Sequence, residues 1–462
     1  MTSQSAFRPS RKKADATRRG TPAATRPLAN ERLSELLAFL DASPTPHHVV
    51  HNAARKLVAH GFHWFDSLRS LPNFTAPMRG VITRDGALVA FAWNPRTAPD
   101  GLRMVGAHTD SPGLHLKSRR ATSHGGLATV GVEVYGSPLL NSWLDRDLEV
   151  AGTAVLADGT VRPWRSPGPV ARLSQLAVHL DRQVNDSGVV LDRHAHLRPL
   201  WSDGPVVGDV IARWCNVSSG NIVDWDARFV DAQPAAIIGD NAPLLASGRL
   251  DNLVSCWGAI RGIADYAHNG CAVVALFDHE EVGSNSATGA AGPMLGDVVE
   301  TLFARSGHDR SAFIGAMQAS LMLSADNSHG IHPNYPERHD PEHAPVLHSG
   351  VAVKRNVGQR YATTSRSAAA FVAACDAAGV RHQSFASRNN VACGSTIGPI
   401  AATRLGIDTV DAGVPQLSMH SAREVCSVAD ALDLALIVRA FLAPARRRTP
   451  RRQSAVRASR RA

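Results

Sequence analysis

Apolar and polar positions alternate in three textures along the chain. Leu33, Leu36, Leu37 and Leu40 recur at helical spacing, and a second helical pattern runs from His48 to His60, with Gly61 as its stop signal. Short apolar runs over 79–94 and 102–107 then predict strands, the last of which, Leu102 to Ala107, delivers His108-Thr109-Asp110-Ser111-Pro112. From Gly113 onward the runs become short and β-like, with turn residues about every ten positions: Ala128 to Val134, Leu148 to Leu156, Val206 to Trp214 and Ala235 to Gly239. An α/β texture returns where Leu253, Trp257, Ile260 and Ala264 form an amphipathic stripe with Asp251 at the mouth of the helix.

Three further apolar runs end in chemistry-bearing residues. Cys271 to Phe277 reads as a buried parallel strand and ends at Asp278-His279-Glu280-Glu281. Ser320 to Ser324 leads to Asp326, and Thr409 to Val414 leads to His420, before a closing helix from about Val425 to Phe441. The pattern predicts a discontinuous α/β catalytic domain, 27–112 and 244–445, around an inserted β-rich domain, 113–243. The central sheet is expected to be mixed but largely parallel, in an α/β/α sandwich.

Charge changes this picture only at the ends. Residues 1–26 carry seven Arg or Lys against Asp15 alone, and 446–462 carry eight Arg and no acid. These ends supply 6 + 8 = 14 positive charges of a net +9, so the part between them is near −5. Both read as disordered basic tails, and nucleic acid is expected as a partner only through them. There is no run of 18 apolar residues, which excludes a membrane-spanning helix. Six cysteines with no C-x-x-C spacing and no secretory signal read as reduced thiols in a cytoplasmic protein.

Five ligand-type side chains therefore stand at strand ends or a helix start: His108, Asp251, Glu281, Asp326 and His420. Imidazole and carboxylate without thiolate suit zinc, manganese or cobalt at a catalytic site. Five ligands exceed what one tetrahedral ion with an open position needs, and they fit two ions sharing a carboxylate. Adjacent Glu280 and Glu281 on an extended chain would face opposite ways, one to metal and one to substrate as a general base.

Over residues 30–442 the chain resembles the aspartyl aminopeptidase family of dinuclear zinc metallopeptidases. The matching blocks include Gly106-Ala107-His108-Thr109-Asp110-Ser111-Pro112, Trp143-Leu144-Asp145-Arg146-Asp147-Leu148, Leu250-Asp251-Asn252-Leu253, Glu280-Glu281-Val282-Gly283-Ser284 and Ser324-Ala325-Asp326. Others are His332-Pro333-Asn334-Tyr335, Gln359-Arg360-Tyr361-Ala362-Thr363, Cys393-Gly394-Ser395-Thr396-Ile397-Gly398-Pro399 and Met419-His420-Ser421-Ala422-Arg423-Glu424.

The resemblance implies two zinc ions per subunit, with Mn2+ or Co2+ as substitutes. Asp251 would bridge them, with His108 and Asp326 on one ion and Glu281 and His420 on the other. Glu280 would be the general base, and the Asp110 carboxylate would accept the second N–H of His108. A cis Asp251–Asn252 bond is implied too. Lys354, Arg360, Tyr361 and His332 would form the substrate pocket, and His179 would reach a neighbouring subunit's site. The expected activity is release of single N-terminal residues, Asp or Glu preferred, from peptides with a free N-terminus. The expected assembly is a homo-oligomer, a dodecamer built from dimers. Rival expectations are a deacylase or carboxypeptidase of the same fold, or a non-catalytic scaffold with basic tails.

Overall fold

The computed structural model describes residues 25–444, and the first helix opens at Thr25 and runs to Ala42. The basic stretches 1–24 and 446–462 lie outside the described residues.

The centre is a nine-stranded mixed sheet. Its order is His63–Phe65, Met78–Arg84, Ala87–Trp93, Ala272–Phe277, Arg103–His108, Leu321–Ala325, Asp408–Gly413, Val351–Lys354 and His382–Phe385. The four strands in the middle, from Ala272–Phe277 to Asp408–Gly413, pair in parallel. They read as unbroken apolar runs because both faces are covered. Val274 and Leu276 enter the core beneath the helices Thr25–Ala42, Pro46–Ala59, Leu250–Ala264, Ser365–Ala378 and Val428–Leu442. Val273, Ala275 and Phe277, one residue out of phase, enter the opposite core with the helices Met294–Arg305, Arg310–Ala319 and Ile397–Leu405. Parallel strands send their carboxyl ends to one edge, and His108 and the turns after Phe277 and Ala325 all emerge there.

A second nine-stranded sheet is built from residues within 113–231, with a core of its own that includes Leu114, Trp143, Val150 and Phe229. One expectation fails within it: Val206 to Trp214 is not β-like but contains the helix Val207–Cys215. Val207, Val210 and Ile211 are buried at helical spacing, and the β-branched composition concealed that period. A five-stranded sheet, in the order Ala236–Ile238, Leu244–Ser247, Glu424–Ser427, Pro415–Leu417 and Ser328–His329, draws the His420 turn toward the central edge. No described helix is long and apolar enough to cross a membrane.

Candidate metal centre

Each acidic or imidazole side chain is delivered by a different device. His108 is the last residue of its strand, and its carbonyl accepts from the Cys256 thiol at 2.9 Å. Glu280 and Glu281 occupy one 3-10 turn, Glu280–Val282, entered through His279 in the left-handed region at φ +62. Asp251 sits in the first turn of Leu250–Ala264, where it and Asn252 depart from helical dihedrals and the peptide between them is cis. Asn252 is held by donation to the Ala325 carbonyl at 2.8 Å, and Ser111 donates to the Asp251 carbonyl at 2.6 Å. His420 lies in the turn between the strands Pro415–Leu417 and Glu424–Ser427, at φ +67.

These devices bring four of the five expected ligands into direct contact. His108 Nε2 lies 3.3 Å from Asp251 Oδ1, and His420 Nε2 lies 3.7 Å from Asp251 Oδ2 and 3.4 Å from Glu281 Oε2. One donor atom each from His108, Asp251 and Glu281 falls within 4.8 Å of the others. Asp251 Oδ1 and Glu281 Oε1 are buried with no hydrogen-bond partner among the described residues. Buried carboxylate oxygens left without donors, facing imidazole nitrogens, are what a zinc site requires, so the residues fit the metal. Asp326 follows its strand by one residue and stands 3.5 Å from the Lys354 ammonium.

Two buried acids hold the backbone that carries the ligands. Asp110 Oδ1 accepts the N–H of Glu280 at 3.0 Å, while Oδ2 accepts the N–H of Glu281 at 3.1 Å and the Tyr135 hydroxyl at 2.7 Å. His108 Nδ1 has two acceptors of Asp110 beside it. The His108 Nδ1 is satisfied at 3.0 Å by the main-chain carbonyl of Asp110, and the carboxylate stands farther away at 3.4 Å. Glu424 does the same work, accepting the N–H of Asp251 at 3.0 Å and of His420 at 2.7 Å. Sequence reasoning gave Glu424 and Tyr135 no role; Glu424 lies inside a matched block, whereas nothing local marks Tyr135.

Electrostatics separate the acids. Burial pushes Glu280 up to about 8, opposed by His108 and reinforced by the Asp326, Asp110 and Asp251 carboxylates. Burial alone would raise Asp110 as well, but the hydrogen bonds and charge of His108 and the donors Tyr135 and Glu281 N–H hold it at about 2. Burial would lower His108, and its contacts with Asp110 and Asp251 override that and raise it well above the ordinary imidazole value.

The pocket residues divide by burial. Lys354 is only 3 % exposed; its Nζ donates to the Asn327 carbonyl at 2.8 Å and lies 5.2 Å from the Tyr361 ring centroid. Tyr361 is buried beside it. Arg360 is exposed and its Nε donates to the Cys393 carbonyl at 3.2 Å. His332 is half-buried, accepting from the Asn334 N–H at 3.2 Å and packing on Tyr335. His179 is exposed between Val178 and Leu180, also exposed, and no hydrogen bond or ion pair among the described residues ties it to the centre of its own subunit.

Comparison with known proteins bears on this arrangement. The family model described as Aminopeptidase I zinc metalloprotease (M18) matches residues 39–442. A protein named probable M18 family aminopeptidase 2, from Streptomyces coelicolor, is 44% identical over 426 residues, covering 89% of this chain and 97% of that protein. Among solved structures, a chain of the Ape4 and Nbr1 complex superposes with a TM-score of 0.83 at 32% identity, over 90% of this chain and 86% of its own. The S. cerevisiae mApe1 dodecamer gives 0.75 at 24% identity, over 89% and 97% respectively, a likeness of fold.

Proposed function

The chain belongs to the M18 family of zinc metalloaminopeptidases, and from that premise we propose that it removes single N-terminal residues, Asp and Glu preferentially, from peptides with a free N-terminus. The observation that carries this reading is the cluster of His108, Asp251, Glu281 and His420, in which Asp251 Oδ1 and Glu281 Oε1 are buried without a hydrogen-bond partner among the described residues.

In this reading His108, Asp326, Glu281 and His420 would hold two zinc ions, with Asp251 as the ligand common to both, and Mn2+ or Co2+ could substitute. Bound zinc supplies Lewis acidity, lowering the pKa of water and polarising a carbonyl. The protein's own residues do the rest. Glu280, beside the ligands, takes the proton of the attacking water as its carboxylate and returns it to the departing amine. Asp110 fixes the main chain of Glu280 and Glu281, so base and ligand keep their relative positions. The buried Lys354 ammonium, already beside Asp326, is the cation for a substrate side-chain carboxylate, with Tyr361, Arg360 and His332 around it.

The segment 113–243 serves as the assembly domain, and His179 completes the site of an adjoining subunit in a dodecamer built from dimers. Leu176, Val178 and Leu180, all exposed around His179, favour burial against a partner. Six unpaired cysteines favour the cytoplasm.

Amides of Asp, Glu, Leu and Lys, with an N-acetylated control, test the proposal. Metal-dependent release of Asp or Glu is expected, lost with chelator and reduced about 10²–10⁴-fold in Glu280→Gln. Preference for Leu or Lys overturns the Lys354 assignment and keeps the peptidase. No metal-dependent release from any amide by zinc-loaded protein overturns both.

A further inference from the structure

Between the core of the 113–231 sheet and the catalytic half, behind the His420 turn, lies a cavity of about 30 Å³. His115, Trp143, Arg228 and Asp231 line it from one side, Arg249 and Glu424 from the other. Its polar lining is unbalanced. Trp143 Nε1, Arg228 Nε and Arg249 Nε are all buried and make no hydrogen bond among the described residues. Each is a donor that cannot accept. Trp143 is 5 % exposed, so water outside the cavity does not serve its indole N–H. His115 Nε2 is buried and unpartnered in the same lining.

The acids that line the cavity are engaged elsewhere. Asp231 takes the Arg146 guanidinium at 2.9 Å, and both Glu424 oxygens accept the main-chain N–H groups of Asp251 and His420. The Asp226 carboxylate stands 3.7 Å from Arg228 Nε, outside hydrogen-bond range. Three obligate donors, two of them on cations, thus belong to residues lining one space and have no acceptor within hydrogen-bond range among the described residues. A water molecule offers two lone pairs and no charge. A volume of about 30 Å³ suits a small species of one or two water-sized positions.

We infer that this cavity is a binding site for a small monatomic anion of the halide class, chloride being the physiological candidate. Its donors come from both sides of the domain boundary, and Arg249 lies two residues before Asp251. An anion there joins the 113–231 core to the start of the helix that carries the shared metal ligand. It stabilises the folded protein whether or not the peptidase reading holds.

The test uses full-length, zinc-loaded protein at constant ionic strength, with potassium gluconate replaced stepwise by chloride or bromide. A saturable rise of about 2–5 °C in the thermal unfolding midpoint is expected with either halide. In Trp143→Phe, which keeps an aromatic side chain but removes the indole N–H, the half-saturating halide concentration rises about tenfold. Crystals grown with bromide should show an anomalous peak in contact with Trp143 Nε1 and Arg228 Nε. That measurement stands even if the variant does not fold. Equal midpoints in chloride and gluconate overturn the inference, as does a bromide-soaked cavity holding only water.

Discussion

Asp110 and Glu424 do similar work at the candidate centre under opposite conditions. Each is buried, and each uses both oxygens to accept main-chain N–H groups of candidate site residues, Glu280 and Glu281 for Asp110 and Asp251 and His420 for Glu424. Asp110 also receives the Tyr135 hydroxyl and lies beside the His108 imidazole, so the protein alone keeps it ionised, at about 2. Glu424 has less help, with only the Gln416 side-chain amide added, at 3.4 Å. Burial, and then the charge of Asp251, push it up to about 8 despite its two N–H donors. A cation at Asp251 cancels the second effect, so ionisation of Glu424 and loading of the centre support one another. One clamp is set by the fold before metal arrives, and the other is completed by it.

The sharpest way to break this contrast is Asp110→Asn. Both Asp110 oxygens face an N–H, so either orientation of the amide sets a donor against a donor. Zinc affinity measured by competition with a chelator should fall about 100-fold, and the metal-free protein should melt lower as well. Glu424→Gln should cost less, about tenfold in zinc affinity, and should leave the melting point of chelated protein nearly unchanged. Equal losses of metal-free stability in the two variants would remove the distinction.

The smallest effect is a pH dependence. In metal-free protein Glu280 and Glu424 sit near 8 against an ordinary 4.5, through burial first, so the folded state disfavours their charged forms. Their contribution to stability is greatest at or below 4.5 and is lost as pH rises toward 8. His108, raised above 6.5, loses its contribution in the same direction. Asp110, depressed from 3.8 to about 2, contributes fully and constantly above 3.8, so it adds no pH dependence near neutrality. The melting point of chelated protein should therefore fall by a few degrees between about pH 5.5 and pH 8. Zinc-loaded protein should fall less, since its ligands bind deprotonated, and the gap between the two curves should widen with pH. A gap that narrows would place the titrating groups elsewhere.

Some of this was legible without coordinates because it depends on short stretches of chain. An apolar run of five or six residues that ends in acid or imidazole is a buried strand and its carboxyl end, and Cys271 to Glu281 carries both signals within eleven positions. The same holds for His108, Asp326 and the stripe behind Asp251. Local pattern failed where composition and period disagreed, as in Val207–Cys215, whose β-branched residues obscured a helical spacing.

What the sequence determined by itself is the set of ligand-type residues and the α/β order that takes them to one edge, since side-chain chemistry and periodicity are carried by adjacent residues. What only the tertiary structure decided is which oxygen meets which N–H. Glu424 reaches Asp251 across 173 positions and Asp110 reaches Glu280 across 170, while Trp143, Arg228 and Arg249 meet around one cavity from two separate cores. Hydrogen-bond partners are fixed by distance and angle in space, and no spacing along the chain encodes them.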